Sequence, residues 1–171
     1  MLAKFKPTWL RNSIYDVTPA FLLANHITHI FTDLDNTLMP WNLSEGDAKL
    51  QSWINEMKKN GIKVVVVSNN SEKRIKKAVS SLNVPFVSRA LKPLTVGIDK
   101  TRRQFHVDRE SVVMIGDQLM TDVFGANNAR VRSILVKPIV TNDAWNTKLN
   151  RLLEKGIFNQ LSKKYPDTKW H

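Results

Sequence analysis

The chain contains no cysteine, which rules out disulfides and thiolate-ligated zinc and fits a reducing compartment. Its four histidines, His26, His29, His106 and His171, show no metal-ligand spacing, so an imidazole metal site is not expected. Long apolar runs are missing too. The longest, Val64 to Val67 with its flanks, is far too short to cross a bilayer. The segment Met1 to Asp16 carries Lys4, Lys6, Pro7 and Arg11 and has no continuous apolar stretch of the secretory kind, so a cytoplasmic location is expected. No internal repeat or low-complexity tract interrupts the pattern.

What the chain has is length for one core and a surplus of positive charge. Its 171 residues, 42% of them hydrophobic, suit one globular domain rather than two or a disordered chain. The 26 lysines and arginines against 15 acidic residues give a formal charge of +11. A field of that sign draws in phosphorylated metabolites, nucleic acid or acidic lipid surfaces, and charge by itself does not choose among them.

The periodicity alternates between strand and helix. Strands are predicted at 29–35, 62–68, 84–90, 111–117 and 132–137, and helices at 44–60, 72–82, 94–106 and 120–128. The β-branched run Ile62 to Ser68 suits a parallel strand buried on both faces. In the first helix Leu50, Trp53, Ile54 and Met57 recur at helical spacing. Ser44 is a candidate N-cap with Asp47 completing a capping-box-like start, and Gly61 is the expected stop. In the second, Ile75, Ala78, Val79 and Leu82 are expected to face inward, and Lys73, Arg74, Lys76 and Lys77 outward. This alternation implies an α/β fold: one parallel sheet with helices on both faces and a core at about 26–140. Residues 1–25 and 141–171 are read as extensions that pack on the core or contact a surface.

Ligands bind such sheets at the carboxyl ends of the strands. Asp33, Asp35, Ser68, Lys92 and Asp117 all fall at or just after predicted strand ends, so they are expected to meet on one rim. Singly, each has a plain structural reading: a helix cap for Ser68, Asn69 or Asn70, a surface lysine for Lys92, a turn and helix start for Gly116-Asp117 and Asp122. Jointly they supply the parts that phosphoryl transfer to a carboxylate needs, namely a nucleophile, an acid/base group, a cation site and positive donors around the phosphate. Several acids in one pocket repel one another without a cation, and an all-oxygen donor set favours magnesium over zinc or copper.

The order DLDNT (33–37), VVVVSNN (64–70), LKP (91–93) and IGDQLMTD (115–122) resembles the four motifs of the haloacid dehalogenase (HAD) superfamily, over residues about 29 to 137. DLDNTL with GDQLMTD is similar to the class IIIA phosphatases. With Asp16-Val17-Thr18-Pro19 upstream, the chain resembles the YqeG-type family, whose relatives include phosphatidylglycerophosphate phosphatases. The resemblance implies a Rossmann-like HAD domain and a set of roles. Asp33 is the nucleophile and Asp35 the acid and then the base. Ser68, the backbone of Asn69 and Lys92 bind the phosphate. Asp33, the backbone carbonyl of Asp35 and Asp117 hold Mg2+, while Asp122 supports the metal or its waters from outside the coordination sphere. An acid at the position of Asp35 favours a phosphatase over an ion pump. Trp41, in Met39-Pro40-Trp41, and Arg89 are candidate contacts for the leaving group, with local packing of Trp41 as the plain alternative.

HAD phosphatases often carry a lid domain between these motifs. The intervals Thr37 to Ser68 and Ser68 to Lys92 leave no room for a large cap, so an open site is expected. Basic amphipathic termini with aromatics, Phe5, Trp9 and Tyr15 at one end and Trp145 to Trp170 at the other, can lie on anionic membranes or pack on their own domain. The expected function is Mg-dependent hydrolysis of phosphatidylglycerophosphate at the inner face of the membrane. Two alternatives stay open: a soluble nucleotide or sugar phosphate phosphatase, and a basic module that binds RNA or ribosomes without turnover, against which the complete motif set argues.

Overall fold

The computed structural model describes residues 2–44, 46–140 and 145–166, and the side chains of these except 145–152. The alternation of strands and helices forms a six-stranded, all-parallel sheet. In chain order the elements are β1 (Trp9–Arg11), α1 (Pro19–Ala24), β2 (His29–Thr32), α2 (Ala48–Lys59), β3 (Lys63–Val67), α3 (Glu72–Ala78), β4 (Phe86–Val87), α4 (Val96–Gln104), β5 (Val112–Gly116), α5 (Phe124–Asn128), β6 (Arg132–Val136) and α6 (Trp145–Lys164). The strand order is β1-β6-β5-β2-β3-β4. Side chains alternate across it. Ile30, Val64, Val66, Val113 and Ile115 pack beneath α1, α2 and α3, while Phe31, Val65, Val67, Val112 and Met114 face α4 and α5. This two-sided burial accounts for the unbroken β-branched run in β3. Fully burying each such side chain contributes about 1.5–3 kcal/mol relative to leaving it exposed.

Helix ends differ from the sequence reading where polar side chains compete for the same role. Asp47, not Ser44, caps α2, its carboxylate accepting from the Leu50 amide, so the helix starts at Ala48. Ser71 caps α3 and Thr18 caps α1, with Pro19 in the first turn, where its missing N–H costs nothing. Four helices stop alike. His26, Gly61, His106 and Arg130 take φ of 57°, 73°, 50° and 57°. The amides of the following residues, Ile27, Ile62, Val107 and Val131, bond back to Leu22, Met57, Arg102 and Ala126 at 2.9–3.1 Å. Those four residues are buried, which is the apolar lock that accompanies such left-handed helix ends.

Strand 84–90 shrinks to Phe86–Val87, because Arg89 and Leu91 adopt φ of 48° and 58° and turn the chain into the loop that carries Lys92. The expected helix 120–128 divides into a π-turn at Leu119–Val123 and the short α5. Residues before 26, for which periodicity gave no element, supply β1 at the sheet edge, parallel to β6, and α1. Three residues are too few to show a period. α6 covers that edge through Ile157, Phe158 and Leu161, which pack with Leu10, Leu119, Val123 and Leu135. Trp145, Lys148, Leu149, Arg151 and Leu152 of the basic C-terminal pattern lie outside the described side chains. Among the described residues, no helix is long and apolar enough to cross a membrane.

Gly97 lets α4 close on the Lys92 loop, since a Cβ there would meet the Ala90 carbonyl oxygen at 2.5 Å and its Cα at 2.6 Å. Backbone cannot give way as a side-chain tip can. Gly97→Ala is therefore expected to cost ~1–3 kcal/mol, a fall in melting temperature of roughly 3–10 °C by calorimetry.

Candidate active site

The carboxyl ends of β2, β3 and β5 and the loop after β4 deliver the polar residues. Asp33 follows β2, and its amide extends the ladder to the Ile115 carbonyl of β5 at 2.9 Å. The chain then folds tightly: the Asn36 amide bonds the Met39 carbonyl at 2.7 Å, and Asn36 holds φ 61°. This turn points Asp33 and Thr37 inward and leaves Asp35 partly exposed. Asp117 follows β5. Asp122 comes from the π-turn and occupies space that Gly116 leaves free, since a Cβ on Gly116 would lie 2.2 Å from the Asp122 carboxyl carbon.

Lys92 joins these elements. Its ammonium is 3.0 Å from Asp33 Oδ1 and 2.6 Å from Asp122 Oδ1. The second Asp122 oxygen accepts from the Gln118 amide at 3.1 Å, and Asp117 accepts from the Thr37 hydroxyl at 3.0 Å. The Lys92 backbone is clamped by one side chain: Asn69 Oδ1 accepts from the Lys92 amide at 2.7 Å, and Asn69 Nδ2 donates to the Lys92 carbonyl at 2.8 Å. The Lys92-Pro93 peptide is cis. Asn69, read from sequence as a backbone donor to phosphate, thus has a second task that spacing could not reveal.

On the other side of Asp33, Ser68 is buried and its hydroxyl accepts from the Asn70 amide at 3.3 Å and side chain at 3.2 Å. Asn70 Nδ2 also donates to Asp35 Oδ2 at 2.8 Å. Arg74 Nη2 pairs with Asp35 Oδ1 at 2.8 Å and donates to the Trp41 carbonyl at 3.1 Å. Arg74 is therefore not one of an outward-facing row with Lys73, Lys76 and Lys77. It sits in the first turn of α3, where a long side chain reaches back over the strand ends. That position, four residues after Asn70, is the signal by which the sequence could have separated it from its neighbours. Asp33, Asp35, Ser68, Lys92 and Asp117 do meet on one rim. Trp41 and Arg89 lie on its outer border, Trp41 through its carbonyl bond to Arg74 and Arg89 through its amide bond to the Asn70 carbonyl at 3.0 Å.

Electrostatics follow from burial. Asp122 is pushed up to about 7 by burial, against the pull of Lys92 and with the repulsion of Asp33 and Asp117 adding to it. Burial pulls Lys92 down, but Asp122 and Asp33 outweigh it and hold the ammonium above its usual value. Burial also raises Asp35, against Arg74 and Asn70. Oxygens of Asp33, Asp117 and Asp122 lie within 4.8 Å of one another. Three buried carboxylates around one ammonium leave negative charge uncompensated, and the donors are all hard oxygens. The residues therefore fit a divalent cation of the magnesium or calcium kind.

This geometry can take a phosphoryl group on Asp33, with Lys92 beside it and a second carboxylate, Asp35, two residues on. Residues 30–90 match a family of haloacid dehalogenase-like hydrolases, and residues 89–162 match a HAD-hydrolase-like family. The probable phosphatase YqeG of Bacillus subtilis (strain 168) is 39% identical over 165 residues, covering 96% of both chains. The chain belongs to the HAD superfamily and, within it, to the family of that protein. Among solved structures, an uncharacterized protein from Listeria monocytogenes serotype 4b superposes with a TM-score of 0.54 at 17% identity, covering 74% of this chain and 97% of that one. A putative 3-deoxy-D-manno-octulosonate 8-phosphate phosphatase from Vibrio cholerae gives 0.51 at 11% identity, covering 84% and 90%. At those identities the likeness is one of fold.

Removing the cation from a buried pair strands its partner, at a cost of about 3–5 kcal/mol. Lys92→Met should lose about that much in urea unfolding. Because Asp122 is raised from 3.8 to about 7, the fold holds a proton that the unfolded chain has released across that interval. Metal-free stability therefore falls as pH rises through it, and more steeply in the variant. Unfolding with a chelator at about pH 5 and about pH 8 measures both slopes.

Proposed function

We propose that this HAD-type phosphatase hydrolyses a phosphomonoester through Asp33, and that its substrate is phosphatidylglycerophosphate, released as phosphatidylglycerol and phosphate. The observation that carries the mechanism is the Lys92 ammonium, 3.0 Å from Asp33 and 2.6 Å from Asp122, beside Asp117. An Asp33 oxygen attacks phosphorus as the ester P–O bond breaks, and the leaving alkoxide takes a proton from protonated Asp35. Asp35, now a carboxylate, removes a proton from the water that attacks the aspartyl-phosphate, which frees phosphate and restores the Asp33 carboxylate and the protonated Asp35. Lys92 offsets charge on the transferring group, and Ser68 with the Asn69 backbone donates to its oxygens. Asp33, Asp117 and the Asp35 backbone carbonyl, with Asp122 behind them, would hold Mg2+, which would neutralise negative charge during the transfer.

Asp35 must change partner during this cycle, because Arg74 and Asn70 hold its two oxygens. The lipid substrate is supported by the motif resemblance to a family whose relatives include phosphatidylglycerophosphate phosphatases, by the charge of +11 and by the short intervals between motifs. Among the described residues, α2 and β3 are the elements between Thr37 and Ser68, and α3 and β4 those between Ser68 and Lys92. A phosphate presented at a cytoplasmic membrane surface could enter such an opening without leaving the surface.

Phosphate release from phosphatidylglycerophosphate in mixed micelles with magnesium is the direct assay. Asp33→Asn should lower it by at least about a thousandfold while the circular dichroism stays that of wild type. Turnover confined to a soluble sugar or nucleotide phosphate would replace the lipid reading, and activity surviving Asp33→Asn would remove the nucleophile. Magnesium at about one hundred times its Kd should stabilise wild type by ~2.7 kcal/mol, and Asp117→Asn should abolish most of that gain in thermal melts.

A further inference from the structure

Eight large hydrophobic side chains are exposed among the described residues, and their placement is not random. Leu23 ends α1 and Leu153 lies on α6. The other six, Trp41, Leu43, Leu91, Leu94, Val96 and Ile139, sit in three loops at the carboxyl edge of the sheet or at the helix start that follows one. Because every strand is parallel, that edge is also the catalytic edge.

The link to the site is direct. The Trp41 carbonyl shares Arg74 with Asp35. The Ile139 amide bonds the carbonyl of Asn36, next to Asp35, at 3.0 Å. Leu91 precedes Lys92, and the Leu94 amide closes a turn onto the Leu91 carbonyl at 2.8 Å. Leu91 is 55% exposed at φ 58°. A leucine is costly in the left-handed region, and an exposed one gains no burial in return. Packing within the chain gives no reason to present it outward.

Charge identifies what this collar meets. Arg89 and Lys137 are exposed in the same loops as Leu91 and Ile139, with Arg74 behind Trp41. Of the acids near the rim, Glu72 and Asp99 stand in the first turns of α3 and α4, Asp99 pairing with Arg102 and Arg109, and Asp47 caps α2. A basic, apolar edge on a chain of charge +11 repels a second copy of itself and complements an anionic apolar surface. Among the described side chains of the terminal segments, Leu10, Ile14 and Leu161 are at most 4% exposed and packed in the core, and the exposed Leu23 and Leu153 stand apart from each other on α1 and α6.

We propose that the loops around the catalytic mouth are themselves a membrane-docking surface. Trp41, Leu43, Leu91, Leu94, Val96 and Ile139 enter the interfacial layer of an anionic phospholipid bilayer, with Arg89 and Lys137 on its headgroups. The proposal rests on the lipid-phosphomonoester reading above and adds where the lipid surface lies: across the strand ends, not along the termini.

Flotation with vesicles tests it. Wild type should bind phosphatidylcholine vesicles containing about 30% phosphatidylglycerol and bind pure phosphatidylcholine weakly. The double variant Leu43→Asp, Leu94→Asp, shown folded by circular dichroism, should lose at least about tenfold in that binding. Trp41 supplies a second measurement should the variant not fold. Brominated lipid should quench wild-type fluorescence, and the quenched component should vanish in Trp41→Phe. Equal binding by wild type and the folded double variant, no vesicle binding by wild type, or a dimer that Leu94→Asp splits in the absence of vesicle binding would each overturn the proposal. The two readings fail separately. Micellar phosphatidylglycerophosphate hydrolysis without vesicle binding removes the docking surface and keeps the substrate. Collar-dependent binding without hydrolysis of that lipid keeps the surface and removes the substrate.

Discussion

One buried ammonium ties the site together. Lys92 Nζ touches Asp33 from the loop after β2 and Asp122 from the π-turn after β5, two segments that would otherwise meet as like charges. Ionised carboxylates this buried repel one another by several kcal/mol at any reasonable local dielectric, so the strand ends can close only around a cation. The surrounding structure serves that contact. Asn69 fixes both backbone polar groups of Lys92, Gly97 admits α4 against the preceding Ala90, and Gly116 clears the space that Asp122 fills. Gly97 and Gly116 act on the chemistry only through the room they leave for other groups.

The sheet and the set of polar residues at its carboxyl edge were legible in sequence because both follow from short-range patterns. β3 reads as a buried parallel strand from its own composition, and Asp33, Ser68, Lys92 and Asp117 sit at strand ends whatever the packing of the helices. What was not legible depends on direction or on distance. Arg74 reads as one of its lysine neighbours until its place in the first turn of α3 is set beside the tertiary position of Asp35. Asn69 could cap a helix or clamp a distant backbone, and nothing local decides between them. Ser44 and Asp47 are both good caps, so the choice fell to the geometry of the loop. β1 and β4 are too short for any period to register.

The same edge carries both polar and apolar features. Six of the eight exposed large hydrophobics stand around the strand ends, while Leu10, Ile157, Phe158 and Leu161 of the terminal segments pack on the sheet margin.

The opposite edge of the sheet is built to a different rule. Four helices end there on a left-handed residue followed by a buried aliphatic one, yet glycine fills that position only at Gly61; His26, His106 and Arg130 fill the rest. A left-handed L-residue costs roughly 1–2 kcal/mol, so this margin holds unspent stability. It is also the margin from which the molecule can be made more robust, or tethered to a support, with its working edge left facing outward.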